Sequence, residues 1–249
     1  MSDPVYRPII LTAKTLFFGL GLKLDVVGEE NIPRVGGALL AINHTSYLDF
    51  ALAGLPADRR GHRLVRFMAK DSIFRHPVAG PLMRGMKHIP VDRDAGSAAF
   101  RDAVADLKAG ELVGVFPEAT MSRAMDIKGI KNGAVRMARA ANVPLIPMIV
   151  FGGARVLSYD HRDFSRGTPI AITVGEPLPL PRGTNPDVLT DELAERMRSL
   201  LDETVARYPD TPAGAWWVPE RLGGGAPTLA EAEAIDEERR RAKRAKGAG

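Results

Sequence analysis

The sequence has no cysteine among its 249 residues. This absence excludes a disulfide framework, catalysis by a thiolate and a zinc site built on cysteine sulfur. It also fits a reducing compartment, where disulfides are rare. The chain shows neither the aromatic-basic interleaving nor the motifs that are typical of nucleic-acid-binding domains. We therefore expect no nucleic-acid partner.

No long hydrophobic run is present either. The apolar segment Ile9–Leu22 is interrupted by Lys14, and no small-residue cleavage site follows it, so we expect no signal peptide. Its unbroken part, Thr15–Leu22, is too short to span a bilayer. With Arg7 and Lys23 beside it, the segment can form an amphipathic helix at a lipid interface, with its lysines reaching the headgroups. The alternative is a helix packed on the core of its own domain.

The overall composition is that of a globular protein with an anionic partner. Hydrophobic residues make up 45% of the chain and charged residues 26%, which suits one α/β domain with or without appendages. The net charge of +4 favours partners such as phospholipid headgroups or a phosphorylated substrate.

Short apolar runs alternate with helical patterns along the chain. Strands are predicted at Ala38–Ile42, Leu64–Ala69, His88–Val91, Leu112–Phe116, Leu145–Val150 and Ile170–Val174. Helices are predicted from Thr45 or Ser46 to about Leu55, and over Pro77–Met86, Asp94–Lys108, Lys131–Ala141 and Leu189–Tyr208. The alternation predicts an α/β fold, in which a single domain has a mainly parallel mixed sheet flanked by helices.

Three segments of the chain differ in character. We expect residues 1–25 to form the interfacial amphipathic helix, residues 26–208 the folded domain, and residues 209–249 a Pro/Gly-rich linker with a charged tail. The tail carries the basic run Arg239–Arg244 and can be helical or disordered. Such a basic run is most often a solvated surface, and contact with anionic lipid is the alternative.

Polar clusters follow three of the predicted strands. They are His44–Asp49, Asp92–Asp94 and Glu118–Ser122. Ligands of parallel sheets bind beyond the carboxyl ends of the strands. This coincidence therefore predicts a functional site at that edge.

The segment from His44 to Asp49 has two interpretations. Five residues correspond to about 140° around a helix, so the two side chains do not share a helical face. If His44 lies in the loop and Asp49 in the first helical turn, the carboxylate can fold back to the imidazole and stabilise its protonated form. His44 would then act as a general base toward a hydroxyl. Alternatively, Ser46-x-x-Asp49 is a capping box that serves only the helix start.

The residues Glu118 and Thr120 follow Pro117 in a loop at the same edge. Glu118 can bind substrate hydroxyls or orient a basic group, and an ordinary surface turn is the alternative. Arg93 is a solvated loop charge or, together with Lys131, a clamp for a phosphate.

In order and spacing, these segments resemble the lysophospholipid acyltransferase family, whose best-known members are the 1-acylglycerol-3-phosphate acyltransferases. The matching motifs are His-x4-Asp at His44–Asp49, a segment from Gly85 that ends in Arg93, Phe-Pro-Glu-Ala-Thr at Phe116–Thr120, Lys-Asn-Gly-Ala at Lys131–Ala134, and the two-proline segment Val143–Pro147. The resemblance covers about residues 26–177 and implies the fold of glycerolipid acyltransferases.

The resemblance implies a role for each matching position. His44 is the base and Asp49 its partner. The residues implied to bind the acceptor are Arg93, Glu118, Ala119, Thr120 and Lys131. The donor is an acyl thioester, acyl-CoA or acyl-ACP, and the acceptor is lysophosphatidic acid or a related lysolipid on a membrane phospholipid surface. Its hydroxyl attacks the thioester directly, so neither a cofactor nor a metal is needed. The absence of a Gly-x-Ser-x-Gly motif agrees with direct attack.

The apolar-basic N-terminal segment, together with an acceptor that lives in the bilayer, predicts a peripheral or monotopic protein on the cytoplasmic face of the plasma membrane. Other interpretations are acyl transfer to a different lysophospholipid or a glycolipid, and a non-catalytic lipid-binding protein. A hydrolase is a weaker alternative, because no nucleophile is evident.

Two positions depart from the family pattern. Ala119 stands where the family has glycine, and if that glycine has a positive φ, alanine destabilises the loop by about 1 kcal/mol. Met121 replaces the arginine that often follows the threonine, and Arg123 lies two positions later. Both changes bear on the identity of the acceptor more than on the reaction.

Overall fold

Residues 4–92 and 96–247 are described in the computed structural model, and within these ranges seven strands form one sheet. The strands are β1 (Lys23–Val27), β2 (Ala38–Ile42), β3 (Val65–Lys70), β4 (Ile89–Val91), β5 (Leu112–Val115), β6 (Leu145–Phe151) and β7 (Pro169–Val174). Their order is β1-β7-β6-β2-β5-β3-β4. The pair β6–β7 is antiparallel, and the other neighbours run parallel.

Helices cover both faces of this sheet. They are α1 (Tyr6–Gly19), α2 (Asp49–Arg59), α3 (Asp71–Phe74), α4 (Ala79–Gly85), α5 (Gly96–Lys108), α6 (Gly133–Ala141), α7 (Pro186–Arg207) and α8 (Leu229–Gly247). One core lies between the sheet and α5, α6 and α7, and a second lies between the sheet and α1 and α2. The predicted mainly parallel sheet with flanking helices is confirmed. Among the described residues, no helix has both the length and the apolar character needed to cross a membrane.

The burial of the central strands explains why they could be predicted from the sequence. Every residue of β2 and β6 is buried, as expected for central strands of a sheet that is covered on both faces. By contrast, β1 alternates between exposed and half-buried residues at the edge of the sheet and was not predicted. This strand includes residue 25, where the predicted N-terminal segment ends.

The helix α1 combines features of both interpretations of the N-terminal segment. Tyr6 and Phe17 are buried, and the Tyr6 hydroxyl donates a hydrogen bond to the Val65 carbonyl at 2.7 Å. Lys14, which the interfacial interpretation directs to lipid headgroups, instead forms an ion pair with the buried Asp58. The helix therefore packs on the domain through one side.

The other side of α1 carries large apolar side chains in solvent. Leu11 is 66% exposed, Leu16 54% and Phe18 83%. Hence α1 shows a packed side and an exposed apolar side at once.

The last part of the chain folds back over the domain. A Pro/Gly-rich stretch after α7 leads into α8, so the tail is helical through Gly247. Arg221 in the connecting stretch pairs with Asp126 at 2.6 Å, and Arg239 of α8 pairs with Asp160 at 3.0 Å. Ion pairs thus attach the tail to the loops beyond the sheet.

Candidate active site

The chain leaves the end of β2 in a fixed direction because of Asn43. The Asn43 side chain is buried, accepts a hydrogen bond from the Val150 N–H at 2.7 Å and donates one to the Val150 carbonyl at 3.1 Å. A side chain therefore continues the pairing between β2 and β6 by one further step. It anchors the residue before His44 to the centre of the sheet.

His44 and Asp49 are in direct contact. The Nδ1 atom of His44 lies 3.0 Å from Oδ2 of Asp49, and the carboxyl of Asp49 is fully buried. Asp49 is the first residue of α2, where the helix dipole favours a negative charge. The predicted pairing of these two residues is confirmed.

The carboxyl of Asp49 also orders the loop before the helix. Its Oδ2 atom accepts hydrogen bonds from the backbone N–H groups of Thr45 and Ser46, each at 2.7 Å. Burial raises the pKa of Asp49, while the contacts with His44 and with the two N–H groups oppose this rise. Three donors on one oxygen favour the ionised carboxylate beside the imidazole.

The helix therefore starts later than predicted. It begins at Asp49 rather than at Thr45 or Ser46, because the Asp49 carboxylate holds the preceding backbone in a loop. The Ser46 hydroxyl accepts a hydrogen bond from the Leu48 N–H at 3.0 Å, which retains part of a capping interaction. The same carboxylate thus contacts both the imidazole of His44 and the backbone before the helix start.

The imidazole of His44 is held from a second direction. Its ring stacks on the Phe116 ring with centroids 4.3 Å apart and planes inclined by 25°. The side chain of His44 is 23% exposed, and within the described part of the chain Nε2 has no hydrogen-bond partner. His44 therefore offers one ring nitrogen to a ligand while Asp49 holds the other.

Glu118 lies beside His44 at the end of β5. Its carboxyl is buried and accepts the backbone N–H of His44 at 2.9 Å and that of Lys128 at 3.5 Å. Burial raises the pKa of Glu118 to about 8, against the effects of these N–H groups and of the Lys128 ammonium. The alternative of an ordinary surface turn is wrong for Glu118, because its carboxyl points inward to the backbone of the base.

The rest of the β5–α6 loop (residues 116–132) has a strained start. Ala119 has a φ of 63°, in the left-handed region that glycine occupies more readily. The next residue, Thr120, accepts a hydrogen bond from Lys128 Nζ at 2.5 Å, and Met121 is buried. Ala119 therefore has the positive φ that was one possibility for the glycine found at this position in the family.

The basic residues predicted near the site differ in their surroundings. Arg93 lies outside the described residues. The Lys131 side chain is exposed, while its backbone N–H donates to the Pro117 carbonyl at 3.0 Å. Arg123 is paired with Asp236 at 2.8 Å and also with Asp160.

Two contributors to this geometry were missed by the sequence analysis. Asn43 directly follows a buried strand, and a polar residue at that point is a usable signal. Lys128 carries no such signal, because its contact with Thr120 depends on how the loop folds. His44, Asp49 and Glu118 are brought together at the ends of the neighbouring strands β2 and β5, and Thr120 follows Glu118 in the same loop.

The site geometry lies within a region of established family similarity. A family model described as Acyltransferase matches residues 23–151. The chain belongs to the acyltransferase family. The matched region contains the His44–Asp49 pair and the whole β5–α6 loop, whereas α7 and α8 lie outside it.

Relatives of this acyltransferase include enzymes named for one acceptor. It is 29% identical over 187 residues to the 1-acyl-sn-glycerol-3-phosphate acyltransferase of Bacillus subtilis (strain 168), an alignment that covers 71% of this chain and 87% of that protein. It is 27% identical over 185 residues to the chloroplastic 1-acyl-sn-glycerol-3-phosphate acyltransferase BAT2 of Brassica napus, covering 72% and 51% respectively.

A solved structure shares the fold of this acyltransferase. The crystal structure of the 1-acyl-sn-glycerophosphate (LPA) acyltransferase PlsC from Thermotoga maritima is similar with a TM-score of 0.68 and 23% identity. The similarity covers 82% of this chain and 81% of that one. It supports the α/β fold described above.

Proposed function

We propose that this enzyme transfers a fatty acyl group from an acyl thioester to the free hydroxyl of 1-acylglycerol 3-phosphate, giving phosphatidic acid. The names of its relatives support the acceptor. The observation that carries the chemistry is the 3.0 Å contact between His44 Nδ1 and the buried carboxyl of Asp49.

In this proposal, His44 acts as the general base. The acceptor hydroxyl approaches Nε2 of His44 and attacks the thioester carbonyl carbon, while its proton passes to the imidazole. Asp49 holds the opposite nitrogen and stabilises the imidazolium that forms. The tetrahedral intermediate then collapses, the carbon–sulfur bond breaks, and the departing thiolate takes the proton back from His44. Atoms and charge balance without an acyl-enzyme intermediate.

Glu118 serves as a positioning residue in this mechanism. Its carboxyl accepts the backbone N–H of His44. Thr120 and the exposed Lys131 lie on the same loop and supply polar groups to the acceptor. The thioester is carried by coenzyme A or by acyl carrier protein, and no cofactor takes part.

An acceptor and donor panel tests this function. Purified protein is given acyl-CoA or acyl-ACP with 1-acylglycerol 3-phosphate, other lysophospholipids or a glycolipid acceptor. We expect phosphatidic acid from 1-acylglycerol 3-phosphate. If that acceptor is inert while another lysolipid reacts, the proposed acceptor is wrong and the chemistry remains. Thioester cleavage without any acceptor identifies a hydrolase instead.

A His44→Ala variant separates an enzyme from a lipid-binding protein. We expect the rate of acyl transfer to fall on the order of 10²-fold or more with the fold intact. His62→Ala, at the opposite end of α2, is the matched control and should behave like the parent. Equal rates for the parent and the His44→Ala protein contradict catalysis by His44.

We further propose that α1 places the enzyme on a phospholipid surface. The exposed apolar side chains of Leu11, Leu16 and Phe18 support this, since such a helix side can enter the headgroup–acyl boundary. The net charge of +4 favours anionic lipid. The cytoplasmic face of the plasma membrane is the proposed location.

Point substitutions test this surface better than a deletion. Removing α1 also removes Tyr6 and Phe17 from the core, so unfolding would obscure the result. We expect a Leu11→Ser, Leu16→Ser, Phe18→Ser variant to lose flotation with phosphatidylglycerol-containing vesicles. A control replaces exposed apolar residues elsewhere: Val35, Val188 and Leu229. Equal flotation of both variants contradicts docking through α1.

A further inference from the structure

The proposed acceptor carries a phosphate, and a phosphate beside the reacting hydroxyl needs a cation. The described part of the β5–α6 loop contains three candidates: Arg123, Lys128 and Lys131. Their surroundings differ enough to choose among them. The inference below rests on the proposed function.

Arg123 is already neutralised. Its Nε atom lies 2.8 Å from Asp236 of α8, and a terminal nitrogen contacts Asp160. Its guanidinium carbon also lies 4.2 Å from the centre of the Tyr159 ring, and the side chain is only 10% exposed. Arg123 therefore joins the loop to α8, and its charge is balanced by two carboxylates.

Lys128 is placed differently. Its ammonium donates to the Thr120 hydroxyl at 2.5 Å and to the Met121 carbonyl at 3.1 Å. These bonds use two of the three ammonium hydrogens and leave one for a ligand. Within the described residues, no carboxylate oxygen lies within 4.0 Å of Lys128 Nζ to form an ion pair.

Thr120 completes a pair of donors. Because its hydroxyl oxygen accepts the bond from Lys128, the hydroxyl hydrogen is free to donate elsewhere. An ammonium and a hydroxyl at the same point form a suitable binding site for phosphate oxygens. Lys131, by contrast, is exposed at the end of the loop, where ions in solvent screen its charge.

Charges of both signs act on the Lys128 ammonium. Burial lowers the pKa of Lys128, while the charges of Glu118, Asp236 and Glu233 raise it and that of Arg240 lowers it. Glu118 comes from the end of β5, and the other three groups come from α8. Lys128 is thus half-buried and surrounded by charges from two elements.

We propose that Lys128 binds the phosphate of the acceptor and, with the Thr120 hydroxyl, selects phosphorylated glycerolipids over neutral ones. The phosphate takes the third ammonium hydrogen of Lys128 and the free hydrogen of Thr120.

The test compares Lys128→Gln with Lys128→Arg and with Lys108→Gln. Lys108 is an exposed lysine at the far end of α5 and serves as the matched control. We expect Lys128→Gln to raise KM for 1-acylglycerol 3-phosphate about tenfold or more, with KM for the thioester unchanged. Lys128→Arg should have a KM for 1-acylglycerol 3-phosphate closer to that of the parent, because arginine keeps the positive charge. Lys108→Gln should match the parent.

A binding measurement makes the result independent of turnover. Glycerol 3-phosphate is titrated into the parent and into each variant, and the Lys128→Gln protein should bind it about tenfold more weakly. If Lys128 only ties the loop, Lys128→Gln lowers kcat and melting temperature while glycerol 3-phosphate binding stays unchanged. That outcome overturns the proposal, as does a parent that does not bind glycerol 3-phosphate.

Failure of the proposed function gives a different pattern. In that case the parent does not acylate 1-acylglycerol 3-phosphate, whatever glycerol 3-phosphate binding shows. Weaker glycerol 3-phosphate binding by Lys128→Gln would still support a phosphate site at Lys128. The two proposals can therefore be separated by one set of proteins.

Discussion

The carboxyl of Glu118 accepts the backbone N–H of His44 at 2.9 Å, so one hydrogen bond joins two motifs that are 74 residues apart. The bond lies at the ends of the neighbouring strands β2 and β5. Because the carboxyl is buried, its protonation state is coupled to the stability of the fold. A pH-dependent stability follows from this coupling.

We expect the free energy of unfolding to fall as pH rises from about 6 to 9, partly because of Glu118. Its folded pKa, about 8, lies above the ordinary value of 4.5. The stabilisation from the neutral carboxyl is therefore complete below about pH 4.5 and is lost as pH rises through 8. The contribution lost between pH 6 and 9 is about 3 kcal/mol. Urea unfolding at both pH values measures it.

Glu118→Gln should remove this dependence, since glutamine does not titrate and its amide oxygen can still accept the shorter bond, from the His44 N–H. Glu220→Gln, at an exposed glutamate, is the control and should keep the slope of the parent. Identical slopes for the parent and Glu118→Gln would contradict a raised pKa at Glu118.

Asp49→Asn should reduce kcat on the order of 10²- to 10⁴-fold, because the amide cannot stabilise the imidazolium and can favour the wrong tautomer. KM for the thioester should change little. Steady-state kinetics measure both quantities, and circular dichroism checks the fold. Asp191→Asn, at an exposed position of α7, is the matched control. A kcat within threefold of the parent would mean that the 3.0 Å contact has no part in catalysis.

Ala119→Gly should raise the free energy of unfolding by about 0.5–1 kcal/mol. Relief of the left-handed strain at a φ of 63° outweighs the greater freedom of glycine in the unfolded chain. Ala105→Gly, inside α5, should instead lower it by about 0.5–1 kcal/mol. Denaturant unfolding of both variants gives the two signs. A loss of stability at both positions would contradict strain at Ala119.

Asp236→Asn should loosen α8 from the β5–α6 loop. It removes one carboxylate from Arg123, whose side chain is only 10% exposed, and we expect a loss of about 1–3 kcal/mol in the local opening energy. Hydrogen exchange of α8 and of the loop measures this. Glu238→Gln, on the exposed side of α8, is the control. Unchanged exchange in Asp236→Asn would show that other contacts hold the helix.

The parts of the fold that could be predicted are those whose burial produces a recognisable hydrophobic pattern in the local sequence. Strands β2 and β6 are continuous apolar runs because both faces are covered, and the sequence shows this directly. Strand β1 alternates at an edge and resembles a linker. Helix α8 has few apolar residues and is attached by charges, such as Arg123–Asp236 across 113 positions, which no local pattern reports.

Some features of the site could likewise be predicted from the local sequence, and others could not. His44 and Asp49 are five residues apart, so their pairing could be inferred from spacing and a loop. The inward turn of Glu118 and the contact of Lys128 with Thr120 depend on tertiary packing. Polarity alone left Glu118 either to bind substrate hydroxyls or to orient a basic group, and the buried carboxyl accepts the backbone N–H of the proposed base.

Asn43 fixes the position of the proposed base, His44, relative to the sheet. Its side chain bonds both backbone groups of Val150, so His44 leaves from a residue that is as fixed as a strand residue. The deuterium exchange rate of the Val150 amide is therefore a spectroscopic reporter of how firmly the imidazole is held.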